Sequence, residues 1–151
     1  MSRLIKVVLI IAVLGIFSLL TSYILNNVDI EDQIALIPVK GVIVSGNGVS
    51  IIPEDYAESD TIVNYITSAD SNKNVKAIIL EINSPGGTAL ASKEMAYAVK
   101  NAKKPVVAWI RDVGASGAYW VASSSDIIVA DELSIVGSVG VLGSYLEFSG
   151  L

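Results

Sequence analysis

Two stretches of this chain share one construction, and together they leave few folds open. The apolar run Val75 to Ile82 leads through Asn83-Ser84-Pro85-Gly86-Gly87 into an alanine-rich segment. The apolar run Pro105 to Ile110 leads through Gly114-Ala115-Ser116-Gly117 into a second segment of small residues. Each reads as strand, glycine loop, helix. Two such units in succession imply parallel strands whose loops emerge at the same edge of one sheet, since each helix carries the chain back to where the next strand starts. Sites in parallel sheets form at the carboxyl ends of the strands. One hydroxyl, Ser116, and one bare backbone loop, Gly86-Gly87, are thereby brought to a common edge.

Each part has two readings. Ser116, at the start of a helix pattern, is an N-cap whose hydroxyl accepts a bond from a free backbone N–H. Alternatively it is a nucleophile, held where helix-end N–H groups also receive a developing oxyanion. Gly117 and Ala118 leave no bulk over that hydroxyl. Pro85-Gly86-Gly87 is a turn, or a loop that offers its N–H groups to the same oxyanion. A hydroxyl and bare amides are the minimum kit for acyl chemistry. The segment is not the G-x-S-x-G elbow of α/β-hydrolases, because Ala118 stands where the second glycine would be.

Ile82-Asn83-Ser84-Pro85-Gly86-Gly87, the run Gly114 to Ser123 and the run Ser134 to Gly140 together resemble the signal peptide peptidase A group of Ser-Lys membrane proteases, peptidase family S49. The resemblance covers about residues 33–143 and the apolar segment in front. It implies an α/β fold of the crotonase/Clp-like type, repeated ββα units behind one N-terminal transmembrane helix. It implies Ser116 as nucleophile and the amides of Gly87 and Gly117 as the oxyanion hole, with Gly86 as the alternate donor. It implies no cofactor, peptide substrates such as released signal peptides, and a homo-oligomer. A stomatin-type membrane Ser-Lys protease and a non-catalytic anchored binding module are the alternatives. Crotonases that handle acyl-CoA fit less well, given the anchor and the exposed Gly-Ala-Ser-Gly.

A serine hydroxyl needs a base, and here the composition matters. The 151 residues contain neither histidine nor cysteine, so a Ser-His-Asp triad within the chain and the usual zinc ligands are excluded, and no metal is expected. The formal net charge of −5 argues against nucleic acid as a partner. The remaining bases are a carboxylate or a lysine whose pKa burial has lowered. Every lysine and arginine lies at or before Arg111. The resemblance implies a lysine downstream, beyond Leu151, so residues 33–151 read as the N-terminal part of a Ser-Lys peptidase domain that is inactive alone. A degenerate relative, or Lys93 as base, are the other two readings.

Val7 to Leu25 is free of charge and mostly Val, Ile, Leu and Phe, nearly the roughly 20 residues that cross a hydrocarbon core. Arg3 and Lys6 precede it, and Asp29, Glu31 and Asp32 follow it. The positive-inside rule puts residues 1–6 in the cytoplasm, residues 7–25 in the bilayer, and the domain beyond the linker 26–32 outside the cytoplasm. No A-x-A-like cleavage site follows, which favours an anchor over a cleaved signal peptide.

Elsewhere, Ile34 to Val39 and Gly41 to Ser45 read as two strands about a tight bend, closed by Gly46-Asn47-Gly48. A helix capped by Ser59 or Asp60 should run to Asp70, with Ile62, Ile66 and Ala69 inward. A second, from about Thr88 to Lys103, should turn Ala91, Met95, Ala98 and Ala102 to the sheet. Lys100, Lys103 and Lys104 should favour its C-terminal dipole. Further strands are expected at Ile127 to Ala130 and in Ser134 to Gly140. Tyr119 and Trp120 are expected to pack, the alternative being that one of them lines a substrate groove, and Ser138 is expected to be structural.

Overall fold

The computed structural model describes residues 2–27, 32–46, 56–140, 147 and 150. They fall into two units, Met1–Glu31 and Asp32–Leu151. The first is helix α1 (Arg3–Asn27). Its stretch Ile5–Ile24 is long and apolar enough to cross a membrane. The helix continues through Asn26 and Asn27, where a linker was expected. Residues 28–31 of that linker lie outside the described residues, as do Asn47 and Gly48 of the expected glycine break.

The second unit is a parallel α/β layer. Strands β1 (Gln33–Lys40), β4 (Val75–Ser84), β5 (Val106–Ala115) and β6 (Ile127–Ala130) lie side by side in that order, and β7 (Ile135–Gly137) continues beyond β6 along the upper part of β5. All these pairings are parallel. Because side chains alternate along a strand, β1, β4 and β5 send Ile37, Val39, Ile78, Leu80, Ile82, Ala108 and Ile110 into one core. Helices α2 (Ser59–Ser71), α3 (Ala89–Asn101) and α4 (Gly117–Ser123) bury their apolar residues in it. On the other side of the sheet Glu81 is bracketed by Lys40 at 3.0 Å and Arg111 at 3.2 Å, and the Arg111 guanidinium stacks 4.6 Å over the Trp109 ring.

The bend after β1 does more than join two neighbours. Gly41, at φ 75°, turns the chain out of the large sheet, and β2 (Val42–Val44) pairs in parallel with β3 (Tyr56–Glu58) in a sheet of their own. A positive φ costs glycine little and other residues more. Ile43 then bridges Gly87, so this small sheet rests on the loop after β4.

Several local expectations need correction. Neither Ser59 nor Asp60 caps α2. The N-cap is Glu58, and Ser59, wholly buried, gives its hydroxyl to Glu94 Oε2 at 2.6 Å. The inward face of α3 is Ala91, Ser92, Met95, Ala96 and Val99, while Ala98 and Ala102 are only partly buried. The helix packs on α2 and α4, with β2 beside it, rather than mainly on the large sheet, which widens and rotates the buried stripe. Lys104 serves a different helix from the one expected. Its ammonium donates to the carbonyls of Ala69, at 2.6 Å, and Asn72, at the C-terminus of α2, where unpaired carbonyls and the dipole favour a cation.

Candidate active site

The two glycine loops meet at the carboxyl ends of β4 and β5. Strand β5 does not stop at Ile110. It runs to Ala115, with Gly114 buried inside it because a Cβ there would lie 2.8 Å from the Ile110 side chain. The turn into α4 is made at Ser116 itself, at φ 53° and ψ −122°. A non-glycine residue at positive φ is uncommon and costs on the order of 1–3 kcal/mol, so it persists only where its surroundings enforce it. Two bonds do so. The Ser116 N–H donates to the Gly137 carbonyl at 2.8 Å, and the Ser116 carbonyl accepts from the Trp120 N–H at 3.0 Å. The side chain makes no N-cap bond. Of the two readings of Ser116, the cap is therefore absent, and Ser116 lines a groove of about 340 Å³.

The β4 loop supplies the opposite wall. Gly86 has φ +93°, and a Cβ on it would lie 2.7 Å from the Gly117 nitrogen and 2.9 Å from Ser116 Cβ. This is the point of closest approach between the loops. The Gly86 N–H is already used, donating to the buried Ser84 hydroxyl at 3.1 Å, and its carbonyl accepts from the Ile43 N–H at 2.9 Å. Gly87 differs. In the parallel bridge to Ile43 the bonds are made by its neighbours, Gly86 and Thr88. The Gly87 N–H therefore faces away from β2, and Gly87 lines the groove. A Cβ built on Gly117 would lie 3.5 Å from the Gly87 nitrogen and 2.1 Å from Ser92 Oγ, so bulk is excluded there too. As the first residue of α4, Gly117 has an N–H with no partner inside the helix.

The groove is lined by Gly87, Ala89, Ser116, Gly117, Tyr119, Trp120, Ser123, Val139 and Gly140. Trp120, expected to pack, is 45% exposed and forms part of this wall with Tyr119. A seven-residue helix buries only Ala118, Val121 and Ala122, and this turns its aromatic side outward. Ser138, expected as a structural hydroxyl, is a second non-glycine residue at positive φ (54°), between Gly137 and Gly140, both also at positive φ. Its composition gave no such signal. No lysine is among the lining residues, and Lys93 is exposed on α3. Among the described residues no group of acids could hold a metal ion.

The arrangement places an uncapped serine, the backbone of Gly87 and Gly117 and an apolar trough in one groove. Residues 98–151 match the model of peptidase family S49. Protease 4 of Haemophilus influenzae is 35% identical over 127 residues, which are 82% of this chain and 20% of that protein. The chain thus spans about a fifth of that relative's length. Among solved structures, the 1510-N membrane protease of Pyrococcus horikoshii, specific for a stomatin homolog, superposes with a TM-score of 0.56 at 23% identity, over 72% of this chain and 50% of that one. ClpP1 of Listeria monocytogenes superposes with a TM-score of 0.50 at 18% identity, over 60% and 46%. The α/β fold is of the Clp-like type, and the chain is similar in sequence to the proteases of peptidase family S49.

Proposed function

We propose that residues 33–151 carry the nucleophile and oxyanion donors of a membrane-anchored serine endopeptidase that degrades membrane-associated peptides, released signal peptides among them. The observation that carries this reading is Ser116, held at positive φ with its hydroxyl uncapped, in a groove that Gly87 and Gly117 also line. The hydroxyl attacks the scissile carbonyl, and the carbonyl oxygen, as it gains charge, takes hydrogen bonds from the two amides. Donors fixed in place beforehand need no reorganisation as that charge develops, which is why such sites are effective. Gly86 is set aside as a donor because its N–H is engaged by Ser84. The proton passes to a lysine contributed from outside residues 1–151, where an apolar site would keep the amine neutral. A homo-oligomer and an apolar peptide in the groove complete the proposal. Ala89, Trp120 and Val139 suit the latter.

The test is cleavage of a synthetic signal peptide embedded in phospholipid vesicles by the protein extended through the lysine-bearing continuation. The expected result is internal cleavage, read by mass spectrometry, and its loss in Ser116→Ala. An intact peptide under conditions where the protein is folded would overturn the reading.

For topology, we propose that α1 crosses the bilayer once, with Arg3 and Lys6 on the cytoplasmic side and the domain outside. Protease added to intact spheroplasts should then digest the domain. Protection until lysis would contradict this orientation.

A further inference from the structure

Strands β4 and β5 do not stay in register to their ends. Ile82 pairs with Ile110, but two residues on, Ser84 pairs with Gly114 four residues on. Two extra residues of β5 are thus taken up in a bulge at Arg111-Asp112-Val113, immediately before Gly114-Ala115-Ser116. A bulge leaves ladder groups unpaired, and this one is held by side chains from both flanks. From the β4 side, Asn83 Oδ1 accepts from the Val113 N–H at 3.1 Å, and its Nδ2 donates to Asp112 Oδ2 at 3.1 Å. From the other side, the Ser134 hydroxyl donates to the Arg111 carbonyl at 2.5 Å.

The bulge decides where the serine stands. Each residue of strand advances the chain by about 3.3 Å, so without the bulge Ser116 would overshoot the Gly86-Gly87 loop. A slip of one residue would also turn its side chain to the opposite face. The closeness of Ser116 to Gly86 leaves no room for such a shift.

We infer that Asn83 is a positioning residue for hydrolysis: its side-chain amide locks the bulge at Asp112-Val113 and so sets the distance from Ser116 to the Gly87 amide. This rests on the reading of Ser116 as the nucleophile. Asn83 is not among the residues that line the groove, so its contribution passes through the backbone of β5. A misplacement of about 1 Å of a reacting group can cost on the order of 10²-fold in rate.

The experiment uses the extended, lysine-bearing protein and counts competent sites by fluorophosphonate titration, so that kcat is expressed per reactive serine. In Asn83→Asp one carboxylate oxygen can still accept from Val113, but the donor to Asp112 is replaced by a like charge, which pushes the bulge open. The expected result is a kcat about ten- to a hundredfold lower, with KM within about twofold, since the apolar groove is untouched. Adding Asp112→Asn restores a donor–acceptor pair with the roles exchanged. That double variant should return to within about threefold of the parent. A merely structural asparagine would lower the melting temperature and the number of titratable sites and leave the rate per site unchanged, which would overturn the inference. So would a double variant that folds but stays as slow as Asn83→Asp. Ser116→Ala run alongside separates the two claims. Parent activity in Ser116→Ala would remove the nucleophile and the inference with it, whereas a dead Ser116→Ala with a fully active Asn83→Asp would remove the inference alone.

Discussion

Replacing Gly87 by alanine in the extended protein is expected to lower peptide hydrolysis by at least about 10²-fold. A loop glycine is ordinarily required for its backbone dihedrals. The structure gives a different cause. Gly87 is not among the positive-φ glycines, but its Cβ would fall 1.9 Å from the Ile43 carbonyl oxygen and 2.6 Å from the carbonyl carbon. These are backbone atoms of a strand, and no rotamer change relieves the contact. Either β2 or the loop must retreat by roughly an ångström or more to reach ordinary contact distances. The Thr88 N–H bond to Ile43 would be lost in the process. Alanine therefore disturbs the oxyanion loop and the β2–β3 pair together, and protease sensitivity near residues 42–44 should rise with the fall in rate. Parent activity and parent stability in this variant would mean that the loop does not sit as described.

The alanine variant does not separate the donor from the packing, and an amide-to-ester replacement at residue 87 does. It deletes the N–H and adds no atom toward Ile43. The loss of one oxyanion donor corresponds to about 10²–10³-fold in kcat, with KM nearly unchanged because that bond strengthens in the transition state. The Gly86 carbonyl becomes a weaker acceptor for Ile43, at a cost of about 1 kcal/mol or less. Parent kcat in the ester would reassign the oxyanion hole to Gly117 and another donor.

How much of this could be read from sequence follows the range of the interactions. The apolar runs Val75 to Ile82 and Val106 to Ile110 are buried strands because each is a short run of β-formers between breakers, which is a local signal. Ile62, Ile66 and Ala69 are buried as their spacing predicts. The parallel pairing of β4 and β5 follows from two successive strand–loop–helix units. What the sequence did not reveal depends on partners distant in the chain. Nothing near Gly41 says that β2 leaves the main sheet, because β3 lies more than ten residues further on. Ser59 looks like a cap until Glu94 is brought beside it, and Lys104 looks like a dipole partner of α3 until the end of α2 arrives. Gly114 looks like the turn, since glycine is the usual punctuation. The turn falls two residues later, on the serine, where positive φ is costly and composition is a poor guide. The bulge that Asn83 holds is a register effect, and register is a property of two strands.

Ser116 carries the account, and its removal has the largest expected effect of any single change. Ser116→Ala deletes one oxygen from a side chain that makes no cap bond, so the helix and the β5 turn should persist. Alanine at φ 53° is strained much as serine is, and stability should stay within about 1 kcal/mol of the parent. Activity should fall by about 10⁴–10⁶-fold, the scale on which serine hydrolases lose their nucleophile. The most direct measurement is mass spectrometry after treatment with a fluorophosphonate, on three proteins: the extended form, its Ser116→Ala variant and residues 1–151 alone. A single adduct on the peptide containing Ser116 is predicted for the extended form. None is predicted for the alanine variant, or for the short chain, in which no lysine is among the described residues that line the groove. An adduct elsewhere, or peptide hydrolysis at the parent rate by Ser116→Ala, would contradict the assignment of the nucleophile.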